Sequence, residues 1–323
     1  MTAAKQKIQV APDPLTIEAA AEKIRDFQAA MNAAFIARHE QVRIITIALI
    51  AKEHTLLLGP PGTAKTALAK TLVTGLHGGF FEILMTKFTA PEELFGQISY
   101  KGLQKDEYRR VTAGYLPEAV VGFLDEVFKA GSPILNSLLT VSNERKFDNG
   151  GKRMDIPLEM LIGASNELPE ENAGLEALYD RFIFRSWVPY IVDEDDFLEL
   201  MNLTGEPTVS ATVDPVALEM LRNALPFVDY SPVMPMFVKL WRSLKKEHGI
   251  VPSDRRWRKA KKSVGAVALL AGRLYAEPED MLILADSFWD NPDDRGTIHG
   301  AIASVVSPHL AKAKRYLDAA VEE

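Results

Sequence analysis

The 323-residue chain contains no cysteine. That absence excludes disulfides, thiolate metal sites and a cysteine nucleophile together, and it agrees with a reducing compartment. Long apolar runs are also missing. Stretches such as residues 44–51 fall far short of the roughly 20 residues that cross a bilayer, so no membrane insertion is expected. Residues 1–14 lack the charged-then-apolar order of a secretory leader, which makes the cytoplasm the expected location. Positive charge is in deficit: 37 Lys and Arg stand against 44 Asp and Glu, a net charge of −7. A general nucleic-acid binder is disfavoured unless a local basic patch overrides that balance. There is no internal repeat and no low-complexity tract. What remains, 47% hydrophobic and 25% charged residues, is the composition of a globular protein, long enough for two domains.

Hydrophobic periodicity divides the chain in two. Residues 15–34 and 39–52 read as helices. Short β-rich runs follow at 55–58, 80–84, 120–124, 160–164 and 182–188, with helices expected at 65–77, 133–144 and 174–179. Apolar strands alternating with helices imply a parallel sheet covered on both faces. Beyond Pro189 no convincing strand is seen. Successive helical segments begin near Asp193, Asp214, Ser253 and Pro278, residue types that start helices, and the acidic VDEDD run reads as a solvated helix start. The expected organisation is an α/β nucleotide-binding domain with N-terminal helices over residues 1–190, followed by an all-α domain over 191–323.

Two motifs carry chemistry. In LLLGPPGTAKT a strand leads through Gly59, Pro60, Pro61, Gly62, Thr63 and Ala64 into a helix that opens with Lys65, Thr66 and Ala67. Glycines let backbone N–H groups turn toward phosphate oxygens, and the helix N-terminus favours negative charge. Lys65 would bridge the β- and γ-phosphates and the Thr66 hydroxyl would ligate Mg²⁺. Ala64 stands where a second glycine is usual, at the helix start, where a methyl group is expected to be tolerated. In VGFLDE an apolar strand ends in Asp125, suited to the Mg²⁺ shell, and Glu126, suited to polarising a water. Either stretch alone could be an unliganded strand-turn-helix or an acidic helix start. In this order on successive strands they point to ATP binding and hydrolysis. MLIGASN ends on Asn166, which would lie beside the phosphate loop or merely cap a turn. ALYDRF puts Arg181 at the entry to the last strand, either paired with Asp180 on the surface or free to reach a neighbour's γ-phosphate.

With these residues in place, the chain resembles the MoxR branch of the AAA+ ATPases, and within it the RavA subfamily. The stretches LLLGPPGTAKT, LMTKFTAPEELFG, TAGYLPEAVVGFLDEVFKAGSPILNSLLTVSNERKF, ASNELPEENAGLEALYDRF and SDRRWRKA carry the resemblance. It implies an AAA+ P-loop NTPase core with a parallel sheet flanked by helices, then an all-α lid. It further implies that Ala64 is native to the subfamily, and a homo-oligomeric ring, usually a hexamer, with ATP or ADP and Mg²⁺ between protomers. Carried over by position, Lys65 and Thr66 form the Walker A pair, Asp125 and Glu126 the Walker B pair, and Asn166 is sensor 1. Arg181 is the arginine finger, with Arg185 as the alternative. Arg255 is sensor 2, with Arg256 as its fallback, and Ile36 contacts the adenine. The chain ends soon after residue 318, so the resemblance implies motor and lid without the family's C-terminal partner-binding region.

The resemblance marks residues 89–114 as the clade's pore-facing insertion, and residues 146–156 read as a β-hairpin turning on Asn149-Gly150-Gly151. Leu94, Phe95 and Tyr100 are expected to be exposed there, with Lys146, Lys152 and Arg153 on the hairpin, as a contact surface for clients. MoxR systems imply a partner carrying a von Willebrand factor A domain. Two other functions compete with a remodelling ATPase: a nucleic-acid motor using RRWRKAKK at 255–262, and a nucleotide-dependent scaffold with little hydrolysis, which the intact Lys65, Asp125 and Glu126 argue against.

Overall fold

The computed structural model describes residues 12–76, 78–169 and 175–307. Residues 1–11 of the stretch 1–14, where no secretory leader is expected, the expected helix end at His77 and helix start at Gly174, and residues past 307 lie outside them.

Five strands form one parallel sheet: β1 (His54–Leu58), β2 (Phe80–Leu84), β3 (Val121–Asp125), β6 (Met160–Ser165) and β7 (Phe182–Trp187). Each lies within one residue of its sequence-based bounds. Their spatial order is β2-β3-β6-β1-β7. β1 therefore has later strands on both sides, paired with β6 through Leu56–Gly163 and with β7 through Leu56–Arg185. In an open α/β sheet that reversal leaves a crevice at the strands' carboxyl ends, where ligands bind. β1, β6 and the first half of β7 are buried throughout, whereas the edge strand β2 leaves Glu82 and Leu84 exposed.

α1 (Pro14–Ala34) starts on the Asp13 cap and buries Ile17, Ile24, Phe27 and Met31. α2 (His39–Ala51) is buried at every position from Val42 to Ala51 except Arg43. After β1 come α3 (Lys65–Leu76), the short α4 (Pro91–Phe95) and α5 (Tyr100–Leu103), α6 (Ser132–Glu144) and α7 (Glu176–Tyr179). Beyond Pro189 lie α8 (Glu194–Asn202), α9 (Pro215–Ala224), α10 (Met234–Glu247), α11 (Asp254–Leu270), α12 (Ala285–Phe288) and α13 (Arg295–Val306). The side chains of Asp193, Asp214 and Ser253 accept hydrogen bonds from the first-turn N–H groups, as their residue types suggested. Pro278 opens a 3₁₀ stretch to Leu284 ahead of α12.

The helical part is tied to the sheet by buried polar contacts. Arg222 of α9 donates to Leu49 O and pairs with Glu159 at 2.7 Å. Lys259 of α11 meets the buried Glu53 at 2.6 Å. Arg185 of β7 is 0% exposed. Its guanidinium stacks 3.7 Å over the Tyr179 ring, donates to Trp289 O and Tyr179 O, and pairs with Asp290 at 2.6 Å. A guanidinium so enclosed offers nothing to a neighbouring protomer, which removes Arg185 as an alternative finger.

The insertion and the hairpin are one unit. β4 (Lys146–Asn149) and β5 (Lys152–Asp155) pair antiparallel across Gly150 and Gly151, both in the left-handed region (φ 60° and 75°) that this two-residue turn requires. Phe147 stacks on Phe95 at 5.4 Å, and Asn149 exchanges two hydrogen bonds with the Arg110 backbone. Leu94 and Phe95 are thus buried, contrary to expectation: they anchor the insertion. Tyr100 is exposed as expected, together with Tyr108 and Val111.

Candidate nucleotide site

The loop after β1 is built to expose its backbone. Gly59, at φ 149°, runs so close to β7 that an added Cβ would meet Val188 O at 2.3 Å. Gly62 follows at φ 76° and Ala64 at φ 67°. Ala64 is thus in a left-handed conformation, which costs a non-glycine residue roughly 1 kcal/mol. The methyl group is tolerated at that cost, and not for the expected reason that the position is already helical. Arg38, which the sequence reading passed over, clamps the loop: its buried guanidinium donates to Thr63 O at 3.1 Å and to Pro189 O at 3.1 Å. Burial lowers the Arg38 pKa, and Asp196 partly offsets this. Gln41 fixes the same corner by donating to Trp187 O. Nothing in the local sequence marks these residues, except that both are polar beside an apolar helical run.

Lys65, at the start of α3, is buried. Its Nζ donates to Gly59 O (2.6 Å), Pro60 O (2.9 Å) and Asn166 Oδ1 (3.0 Å). Asn166, at the end of β6, in turn donates from Nδ2 to Glu126 Oε1 at 2.5 Å. One amide therefore bridges the lysine and the second carboxylate of VGFLDE. Glu126 sits at φ 50°, held out of the strand, while Asp125 Oδ1 accepts from the Glu126 N–H at 3.0 Å. Burial raises the Asp125 pKa, helped by the neighbouring Glu126 charge. Burial lowers the Lys65 pKa, opposed by Asp125 and Glu126. Glu126 Oε2 is buried without a hydrogen-bond partner among the described residues, with Lys129 Nζ at 3.4 Å.

Does this arrangement fit a nucleotide? A cavity of about 390 Å³ opens beside the loop, lined by Ile36, Gly62, Thr63, Ala64 and Ala67 with Phe197, Leu200 and Leu203 of the α8 region. An apolar slot joined to a backbone phosphate cradle suits a base and its phosphates. Thr66, half-buried in the first turn of α3, and Asp125 are the oxygen donors that would hold Mg²⁺, a hard cation. The residues present fit both groups.

The arginines are distributed unequally. Arg181 is half-buried, with one loose hydrogen bond to Ala177 O at 3.4 Å. Asp180 does not pair with it. Asp180 instead accepts from Ser253 at 2.9 Å and faces Arg255 and Arg256 at 3.5 and 3.4 Å. Arg256 is buried against Asp290 at 3.0 Å, whereas Arg255 is exposed.

Known proteins share this architecture. The family model described as "MoxR domain in the MoxR-vWA-beta-propeller ternary systems" matches residues 22–213, and one for an AAA lid domain matches residues 232–302. An uncharacterised protein of Methanocaldococcus jannaschii is 40% identical over 93% of this chain and 77% of its own. Chaperone MoxR1 of Mycobacterium tuberculosis is 26% identical over 76% of this chain and 69% of its own. A solved structure from Cytophaga hutchinsonii, at 19% identity, superposes with a TM-score of 0.72 over 90% of this chain and 96% of that one, a likeness of fold alone. With a five-stranded sheet in the order that puts the phosphate loop at its switch point and an AAA lid behind it, the chain belongs to the MoxR family of AAA+ ATPases.

Proposed function

We propose that the chain is a Mg²⁺-dependent ATPase that works as a ring and remodels protein complexes together with a von Willebrand factor A domain partner. The observation that carries the ATPase reading is the hydrogen-bonded series Lys65–Asn166–Glu126 beside Asp125. Lys65 would neutralise phosphate charge, Asn166 would hold the attacking water in line, and Glu126 would take its proton. Thr66 and Asp125 would hold Mg²⁺, which when bound supplies Lewis-acid stabilisation of phosphate oxygens. Arg181, less committed to internal contacts than Arg185, is proposed as the finger acting on a neighbouring protomer's site. Arg255 is proposed as sensor 2, and Ile36 as a wall of the adenine pocket.

The partner class is supported by the name of the matching family model, and the ring by the resemblance. The narrower RavA placement is supported by the quoted stretches, whereas that family model is described for a ternary MoxR system. Location in the cytoplasm is likewise part of the proposal. What bears on it is that no helix among the described residues is long and apolar enough to cross a membrane.

The nucleic-acid alternative loses support from the fate of RRWRKAKK. Arg256 is buried, Lys259 and Lys262 face Glu53, Lys261 lies 4.4 Å over the Tyr230 ring, and Trp257 packs between Phe237 and Phe288. Arg256 is thus interior and Lys259 and Lys262 are paired, while Arg255, Arg258 and Lys261 remain exposed. The test is steady-state ATPase with Glu126→Gln, which should bind ATP with unchanged affinity and stop hydrolysing. Arg181→Ala should lose roughly 10³-fold in rate and recover part of it when mixed with Glu126→Gln. Turnover like the wild type in Glu126→Gln sinks the assignment.

A further inference from the structure

α8 is a capped, amphipathic helix with no buried residue. Its inner edge, Phe197 and Leu200, lines the apolar cavity beside the phosphate loop. Its outer face carries Leu198, 59% exposed, and Met201, 67% exposed, behind the acidic first turn of Glu194 and Asp195. A nine-residue helix is far below the length that is stable alone in water, so a face this apolar and uncovered needs a partner. A second uncovered face has the opposite charge. On α10, Val238 and Trp241 are 45% and 46% exposed, and exposed Arg242 and Lys245 follow them toward the C-terminus. Lys245 Nζ lies 5.4 Å from the Trp241 ring centroid.

The two faces complement each other in antiparallel register. Leu198 and Met201, spaced i and i+3, match Trp241 and Val238 at the same spacing in reverse. Glu194 then falls against Lys245, and Asp195 and Arg242 flank that pair two residues out of register with each other. That register also sets the positive N-terminal end of one helix dipole, with its acidic residues, beside the negative C-terminal end of the other, with its basic ones. Both helices belong to the same chain, and Leu198, Met201, Val238 and Trp241 all stay exposed among the described residues.

We propose that α8 of one copy docks on α10 of the next, a head-to-tail contact that repeats around the ring and presses Phe197 and Leu200 onto the nucleotide cavity of the protomer that owns them. This inference rests on the ring reading of the proposed function and names the surfaces that close it. Because the two patches differ, the contact is heterologous, and it gives a closed ring if its rotation closes. It also makes nucleotide retention depend on a neighbour through α8, independently of Arg181.

The test is sedimentation velocity of the full chain with a non-hydrolysable ATP analogue. The variants are Glu194→Lys with Asp195→Lys, and Arg242→Glu with Lys245→Glu. Each pair alone should raise the protein concentration needed for assembly at least about tenfold, the effect of some 1.4 kcal/mol. Mixed one to one, the two variants should reassemble, since each basic α8 then meets an acidic α10 and each acidic α8 a basic α10. Trp241→Glu should impair assembly without any charge partner to rescue it. Circular dichroism checks that each variant is folded. Wild-type assembly in either reversed variant overturns the inference, as does a mixture of folded variants that stays dissociated. Assembly that survives reversal while capture of a von Willebrand factor A domain protein is lost also overturns it and gives the faces to that partner. A wild-type protein that binds the analogue but stays monomeric overturns the inference and the ring, and leaves the nucleotide reading standing.

Discussion

Lowering the pH from 7 to 5 should cost the fold about 2 kcal/mol through a single residue, His54. It opens β1 and is fully enclosed. Nδ1 accepts from the Leu161 N–H at 3.0 Å and Nε2 donates to Ser142 O at 2.7 Å, which fixes the neutral tautomer. A second proton would have to replace the acceptor role of Nδ1, so burial, reinforced by Arg145 and Lys259, drives the pKa from 6.5 to about 3. The unfolded chain then binds more protons than the folded one throughout the window from 6.5 down to 3, and stability falls as pH falls. At pH 5 the shortfall is about 1.5 pH units of linkage at roughly 1.4 kcal/mol each, and almost nothing at pH 7. The assay is urea unfolding followed by far-UV circular dichroism at both pH values, for wild type and His54→Gln. The variant loses some stability at both, but its loss between pH 7 and 5 should be smaller by about 2 kcal/mol. Equal losses in the two proteins refute the reasoning.

Asn166→Ala should leave nucleotide affinity nearly intact while cutting turnover by about 10²–10³, because Lys65 and Glu126 lose the amide that aligns them; a proportional rise in KM with unchanged kcat contradicts this. Ala64→Gly should change neither melting temperature nor ADP affinity appreciably, since relief of the left-handed methyl and the added chain entropy of glycine are each about 1 kcal/mol. Ala64→Val, β-branched in the same conformation, should lose both, as read by calorimetry. Asp286, buried beside Glu40, has a pKa raised to about 8 by burial first and the Glu40 charge second. The folded state therefore holds a proton that the unfolded state releases between about 4 and 8, and stability falls as pH rises through that window. Asp286→Asn should remove on the order of 3 kcal/mol of the loss between pH 5 and 8, measured by the same urea titrations.

Much of the fold was legible because the central strands of a sheet covered by helices leave short apolar runs between helical segments, as in residues 160–164. The phosphate loop and VGFLDE were legible for a different reason: their chemistry needs fixed residue types at fixed spacing. The misreadings share a cause. Leu94 and Phe95 look like an exposed pair in a loop until Phe147, 52 residues after Phe95 in sequence, is seen stacked on the ring. Asp180 looks like a partner for its neighbour Arg181 until α11 brings Ser253 and Arg256 to it. Arg185 has the same local setting as a finger, and only Asp290 and Trp289 show that it is interior. Arg38 had no signal, because its partners are carbonyl groups of Thr63 and Pro189, and every residue type has a carbonyl. The left-handed backbone at Ala64 is equally silent, since the residue there is the one a helix start would accept.

The enclosure of Arg185 has a consequence for how such proteins can be taken apart. The strand that completes the sheet carries a cation whose counter-charge, Asp290, comes from about a hundred residues downstream. A chain cut after Pro189 would lose Asp290 and Trp289 O together with α12, which packs on β7, so the guanidinium and the apolar surface around it would be laid open to water. The motor is therefore not a portable module. Chimeras that swap lids between relatives should express only when the donor lid brings its own acid to that position, and a lid-less fragment should be recovered as aggregate, however complete its nucleotide motifs are.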